Sequence, residues 1–497
     1  RIVEDEWLTA NAVFGIFPIT WIVLCAVWLY EITVVSGRFE DLRGTFNLIS
    51  DDPRILAVLI AFCFGGLLEA LAGFGAPVAI TGVMLMAVGF PPLRAATTVL
   101  LANTAPVAFG AIAIPIITAG NLTGIDYHSI GAYVGHQTPV MAWAVPMLLV
   151  LVADGVRGLK ETWPVLLAVG LSFAVLQWIS STWISVELTD VIASLGALAV
   201  GVLVLRVVKP KGTEAAKERL LATREAETAA GYVSTLDLSH HEAVVRRPDR
   251  KAIGMALFPY LLVIVVFTIA KLVPVASTFL ASTDLKIQWP GLYGNVLNAA
   301  GEPNSSTIYN FQWLSSPGTL LLLSGIVVAL VYRVPMLEAA KTFGRMVHKL
   351  RWTFLTIASV LALAYVMNLS GQTITVGTWI ASVGAIFAFL SPTLGWIGTA
   401  VTGSDTSANA LFATLQQTAA TNAGIDPTLL VAANTSGGVV GKMISPQNLA
   451  IAATAVGLVG KESDIFRTAI RWSLGLLLVL CILVGLQSTP VLSWMLP

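Results

Sequence analysis

Runs of about twenty residues with almost no charge recur along this chain, and ~20 apolar residues as a helix span the ~30 Å hydrocarbon core of a bilayer. They lie at 12–35, 55–72, 93–119, 134–153, 163–181, 191–208, 252–273, 318–334, 352–370, 378–400 and 472–490. Segments 76–90, 406–422, 427–441 and 443–459 are shorter or more polar and read as broken or re-entrant helices. Composition points the same way: 56% of the 497 residues are hydrophobic and 11% are charged, against about 25% charged in ordinary soluble domains. No soluble core hides that much apolar surface, so the expected solvent is lipid and the expected fold class is an all-α polytopic membrane protein.

The same numbers exclude other classes. Formal net charge is zero, with 28 basic and 28 acidic residues, which argues against a nucleic-acid partner that would favour a basic stripe. Cys25, Cys63 and Cys481 sit in apolar runs and have no zinc or disulfide spacing. None of the five histidines is assigned to a metal, no cofactor is expected, and no His-Glu-x-x-His or Gly-x-Ser-x-Gly signature marks an enzyme. His136 and Gln137 begin a span and read as an interfacial cap, while Trp7, Trp183, Trp352 and Trp494 near span ends read as interface anchors. The chain begins at Arg1 with no signal peptide, and its natural start is expected to be missing.

Lys and Arg in the loops set the orientation. The polar stretch 209–251, with Lys209, Lys211, Lys217, Arg219, Arg224, Arg246, Arg247, Arg250 and Lys251, is placed in the cytoplasm and read as a solvated connector. The loop "STWISVELTD" has no Lys or Arg and falls outside; loops with Arg38, Arg43 and Arg54, with Arg157 and Lys160, and with Lys461, Arg467 and Arg471 fall inside. The stretch "MLEAAKTFGRMVHKLRW" is amphipathic and is expected along the inner interface.

One apolar segment interrupts itself at Gly73–Pro77, "GFGAP", and 330 positions later, counted from Gly73 to Gly403, "GSD" occupies the matching place. Asn103-Thr104 and Asn434-Thr435 also correspond, each followed by small residues and then Pro115 or Pro446. In the assigned topology corresponding spans run in opposite directions, the pattern of inverted-topology repeats whose discontinuous helices meet at the midplane. Unwound backbone at that depth is tolerated only inside protein or against a water-filled cavity. A half-helix N-terminus there attracts anions. The plainer alternative is a packing kink.

Candidate site residues follow. Asp405, flanked by Ser404, Thr406 and Ser407 with Asn409 one turn on, is a carboxylate within a span, which is costly and therefore a functional candidate. Glu69, one turn before Gly73, is the second proton-coupling candidate, with a structural polar pair as its alternative. Gly73, Phe74, Gly75, Asn103 and Thr104 in the first half are substrate-binding candidates, as are Ser404, Thr406, Asn409, Asn434, Thr435, Ser436, Ser445, Gln447 and Asn448 in the second. Lys442 is a counter-charge for a carboxylate substrate or, alternatively, snorkels to an interface.

The blocks "FCFGGLLEALAGFGAPVAI", "NTAPVAFGAIAIPI", "GVRGLKETWP", "VTGSDTSANALFATLQ", "LVAANTSGGVVGKMISPQNLAIA" and "GLVGKESDIFR" resemble the bacterial lactate permease family nearly throughout the chain, least over 209–251 and 274–315. "LLEALAGFG" departs from the "LEGAAGFG" common in relatives but keeps Glu69. Members start about two helices earlier. The resemblance implies proton-coupled uptake of L-lactate, D-lactate and glycolate across the bacterial cytoplasmic membrane. It also implies re-entrant hairpins bearing the Gly-Phe-Gly-Ala-Pro, Asn-Thr and Gly-Ser-Asp-Thr-Ser segments, and by analogy an elevator motion.

The expected organisation is a first repeat over 1–160, connecting helices over 161–208, the cytoplasmic linker 209–251, further connecting helices and an external loop over 252–334, and an inverted second repeat over 335–497. The function expected is proton:monocarboxylate symport, with lipid, a proton and a small 2-hydroxy acid as partners. A sodium-coupled carboxylate transporter of the same build is the runner-up.

Overall fold

The computed structural model describes residues 17, 20–38, 41, 49–71, 75–234, 249–288, 290, 293–295, 308–369 and 372–497. Trp7, Arg43, Gly73, Phe74, Arg246 and Arg247, named above, lie outside the described residues.

The fold is helical. In the first half α1 is Trp21–Val35 and α2 is Pro53–Leu71, among the stretches long and apolar enough to cross a membrane. Helix α2 starts because Asp52 accepts the amide of Arg54 and Pro53 fills the first turn. It contains a π-helical stretch, Val58–Phe64. Then follow α3, Ala76–Val88, α4, Pro92–Ala102, α5, Ile114–Thr123, α6, Tyr127–Val134, and α7, Val145–Ile179, which bends at Gly155. After α8, Thr189–Val207, the polar linker carries α9, Thr213–Ala229.

The second half begins with α10, Arg250–Leu272, and α11, Pro274–Ser282. A two-stranded antiparallel ribbon of β1, Leu285–Gln288, and β2, Ile308–Phe311, follows in the polar loop, with Leu285 opposite Phe311. Helices α12, Pro317–Val331, α13, Met336–Leu369, α14, Gln372–Ala381, α15, Phe387–Thr402, α16, Asp405–Ala423, α17, Pro427–Gly441, α18, Pro446–Ala455, and α19, Glu462–Gln487, complete it.

The halves interlock. Helix α5 packs on α16, α6 on α17, α3 and α4 on α18, and α4 on α19. A second group, α1, α10, α12 and α13, packs alongside. Trp183, Trp352 and Trp494 are all exposed.

Four expectations need revision. The apolar run 93–119 is not one helix: α4 ends at Ala102 and the chain turns through Asn103–Gly110 before α5. Ile112 and Ala113 hold left-handed φ values of 48° and 57° in that break, a conformation L-residues resist. The run 378–400 likewise divides between α14 and α15, with Gly384 at φ 68° between them. The amphipathic stretch 336–351 is continuous with the following span as the single helix α13.

Finally, α9 is docked rather than free in water. Arg219 donates to Asp154 and Glu161, Leu220 and Ala216 are buried, and Glu227 accepts the Leu93 amide. Beneath it Arg54, 2% exposed, donates to Asp52, Asp154, Glu161 and the Lys211 carbonyl. A charge that deep persists only when fully paired, so this cluster pins the start of α2 to α7 and α9.

Candidate functional site

Two helix interruptions face one cavity. The first follows α2: Gly75 adopts φ 83° and α3 begins at Ala76 with Pro77 in its first turn. The second follows α15: Gly403 adopts φ 76°, Ser404 caps α16 by accepting the Ser407 amide, and Asp405 opens the helix. Both left-handed positions suit glycine, which lacks the Cβ clash. A third break lies between α17 and α18, where Ser445 caps α18 by accepting the Asn448 amide and Pro446 fills its first turn.

These tips enclose a cavity of about 270 Å³, lined by Glu69, Gly75, Gly403, Ser404, Asp405, Thr406, Ser407, Lys442, Gln447 and Asn448, with Val107, Gly110, Ala111, Ile114 and Pro115 from the first-half break. Trp352 and Thr402 complete the wall.

Its charged groups are ordered by few contacts. Lys442 Nζ lies 2.7 Å from Glu69 Oε1, and Asn103 Nδ2 donates to Glu69 Oε2 at 2.9 Å. Lys442 is 7% exposed, so it does not snorkel. Asp405 Oδ1 accepts from Thr399 Oγ1 at 3.4 Å, while Asp405 Oδ2 has no hydrogen-bond partner among the described residues. The space for Asp405 exists because residue 438 is glycine: a Cβ there would overlap Asp405 Oδ1 and Thr399 Oγ1.

Polar residues behind the wall hold it together. Asn409 Oδ1 accepts from Asn434 Nδ2 at 2.9 Å and Thr435 Oγ1 at 3.0 Å, and Asn409 Nδ2 donates to the Pro115 carbonyl at 3.3 Å. Ser436 Oγ donates to Gln137 Oε1 at 2.6 Å, linking α17 to the segment after α6. Asn448 Nδ2 donates to Ser445 Oγ and to the Gly403 carbonyl, joining the second and third breaks.

The sequence-predicted residues therefore fall into three groups. Glu69, Gly75, Ser404, Asp405, Thr406, Lys442, Gln447 and Asn448 line the cavity. Asn103 and Thr104 border a small adjoining void that shares Lys442 and Asn448 with it. Asn409, Asn434, Thr435, Ser436 and Ser445 stand behind, bonded to other protein groups. Gly73 and Phe74 lie outside the described residues. Sequence reasoning missed Thr399, Gln177 and Asp190, the last because it reads as the end of an extramembrane loop, "VELTD", although it is 1% exposed; Gln137, expected as an interfacial cap, is instead fully buried and accepts from Ser436. His136 has both ring nitrogens engaged, Nδ1 with the Ala132 carbonyl and Nε2 with Trp178 Nε1.

The arrangement suits a small anion: the Lys442–Glu69 ion pair, the Asp405 carboxyl, two capped half-helix starts, and amides and hydroxyls border one cavity. A family model described as L-lactate permease matches residues 6–491. The chain is 42% identical to the glycolate permease GlcA of Escherichia coli over 96% of this chain and 85% of that protein. It is 41% identical to the L-lactate permease of Bacillus subtilis over 98% and 88% of the two chains, and 41% identical to that of Escherichia coli over 97% and 87%. Among solved structures, Neisseria gonorrhoeae MtrF aligns with a TM-score of 0.49 and 15% identity over 98% of this chain and 84% of that one.

Proposed function

This chain belongs to the L-lactate permease family, and from that premise we propose that it is a proton-coupled symporter of lactate and related 2-hydroxymonocarboxylates such as glycolate. It works in the bacterial cytoplasmic membrane, moving substrate inward, and performs no enzymatic reaction. The observation that carries the reading is the buried Glu69–Lys442 pair on the cavity wall.

Lactate carries one negative charge, and moving one charge against 100 mV costs ~2.3 kcal/mol. A proton carried with it removes that cost. The pair supplies the coupling. With the cavity empty, Lys442 neutralises Glu69. An incoming carboxylate competes for Lys442 and leaves Glu69 with an uncompensated buried charge, which protonation removes. The loaded site then holds substrate carboxylate, Lys442 ammonium and neutral Glu69, with net charge unchanged by adding both lactate and H⁺. Asp405, the other carboxyl on the cavity wall, is the second proton-coupling residue. The amides at the start of α16, with Ser404, Thr406, Gln447 and Asn448, fit the substrate's carboxylate and 2-hydroxyl.

We read residues 1–160 and 335–497 as the inverted repeats. The left-handed glycines at 75 and 403, and the prolines opening α5 and α18, support that pairing. The test is uptake of labelled L-lactate and glycolate into proteoliposomes with pH and sodium gradients imposed separately. Accumulation driven by the pH gradient without sodium is expected. Accumulation that requires sodium and ignores the pH gradient overturns the proton-coupled reading.

A further inference from the structure

Helix α8 carries an acidic residue that the cavity chemistry above does not use. Asp190 is 1% exposed, and Oδ1 accepts from Gln177 Nε2 at 3.1 Å. Among the described residues Oδ2 has no hydrogen-bond partner and no ion pair includes Asp190. A buried carboxylate with one neutral donor and no cation is heavily penalised.

Two structural links tie Asp190 to Glu69. Gln177 Nε2 also donates to the Ala105 carbonyl at 3.1 Å, and Gln177 Oε1 accepts from Thr138 Oγ1, so the amide is oriented with its donors toward Asp190 and Ala105. Two residues before Ala105, Asn103 donates to Glu69. Both carboxyls thus hang on the same unwound segment, 103–105. The second link is Ser194, one helical turn after Asp190 and therefore on the same face of α8. Its hydroxyl also lacks a partner among the described residues, and it lies against Gly66, where an added Cβ would come within 2.5 Å of Ser194 Oγ. Gly66 is one turn before Glu69 on α2.

We propose that Asp190 is a proton-binding site that supplies Glu69 during lactate entry. This rests on the proton-coupled reading of the cavity. Asp190 holds the proton while Glu69 is ionised against Lys442, because Glu69 has a cation beside it and Asp190, among the described residues, has none. When substrate takes Lys442, the proton leaves Asp190 Oδ2 for Glu69: one O–H bond breaks, one forms, and the pair's total charge is unchanged. Asp190 then recovers H⁺ from the aqueous side. The other titratable groups near α8 are engaged or differently placed. Glu187 is bonded to Tyr127 and Ser185, and Lys442 is paired with Glu69. Cys63 lies on the π-helical stretch of α2 and Tyr260 on α10. Asp154 and Glu161, on α7, are taken up by Arg54 and Arg219.

The test compares wild type, Asp190→Asn and Asp190→Glu in proteoliposomes. For one proton per lactate, an inside-alkaline gradient of one pH unit drives about tenfold accumulation. Asp190→Asn keeps the acceptor for Gln177 and is expected to lose this accumulation, and Asp190→Glu to regain part of it. In parallel, infrared difference spectra on lactate addition should show a protonated-carboxyl carbonyl band in wild type that Asp190→Asn removes and Asp190→Glu moves. Full accumulation by Asp190→Asn, or a wild-type lactate-difference spectrum unaffected by either substitution, overturns the assignment. Wild type that fails to accumulate lactate in the pH gradient brings down the symport reading instead, while the infrared band still reports whether Asp190 exchanges a proton.

Discussion

Lys442 Nζ stands 2.7 Å from Glu69 Oε1 across 373 residues of sequence. Each belongs to a different half of the chain, and the bond closes the cavity between them. A buried pair of this kind contributes little net stability over a well-packed apolar substitute, yet breaking it is costly because one charge is left alone. That asymmetry suits a carrier: the pair is stable when intact and responsive when a competing anion arrives.

Substituting Lys442→Met should therefore destabilise the protein by about 3–5 kcal/mol through the orphaned Glu69. The double variant Lys442→Met/Glu69→Gln should recover most of that stability without recovering lactate uptake. Thermal unfolding in detergent and uptake by the same preparations check both parts. Full uptake by the double variant would remove the pair from the transport cycle.

A Cβ at Gly438 would overlap Asp405 Oδ1. Gly438→Ala is expected to abolish uptake by displacing the Asp405 carboxyl from Thr399, and to lower the melting temperature. Adding Asp405→Ala removes that overlap but not the one with Thr399 Oγ1, so it should recover part of the melting temperature and leave uptake lost. A single variant that transports normally would show that the Asp405 carboxyl position is unimportant.

Asn409 joins α16 to α17 and to Pro115 on the cavity wall. Asn409→Ala should cost about 1–3 kcal/mol for each buried partner left unsatisfied. It should also raise the KM for lactate, since Pro115 and the start of α16 both border the cavity. Denaturation and concentration-dependent uptake measure the two effects.

The Arg54 cluster predicts an acid limit. Burial raises the Glu161 carboxyl's pKa, but hydrogen bonds from Arg54, Arg219 and Arg157 outweigh this and hold it below the ordinary 4.5. The native state then binds that proton less tightly than the unfolded chain. The resulting stabilisation is complete above the ordinary value and is lost as pH falls through the lowered native one. Melting temperature measured against pH should show this loss in wild type and a shallower dependence in Glu161→Gln. Identical slopes would contradict it.

Much of the fold was legible because helix starts carry local signals. The segment 427–441 matches α17, opened by Asp426 and Pro427, and Ser445-Pro446 opens α18 in the same way. The extent of the break at Asn103–Ala113 was hidden, since beyond Gly110 its left-handed positions fall on Ile112 and Ala113, residues that read as helix interior. The Glu69–Lys442 bond could not be read from spacing, because only the packing of α2 near the α17–α18 break makes those residues neighbours. Asp190 was passed over for a related reason: a carboxyl near a helix start normally faces water, and here α7 and α2 bury it.

Proton flux during lactate entry discriminates most sharply. Proteoliposomes loaded with a pH-sensitive dye and given an inward lactate gradient, without sodium and with no initial pH difference, should acidify inside as lactate enters. The acidification should disappear in Glu69→Gln. Lactate entry by wild type with no internal acidification, or acidification undiminished in Glu69→Gln, would contradict symport through this cavity.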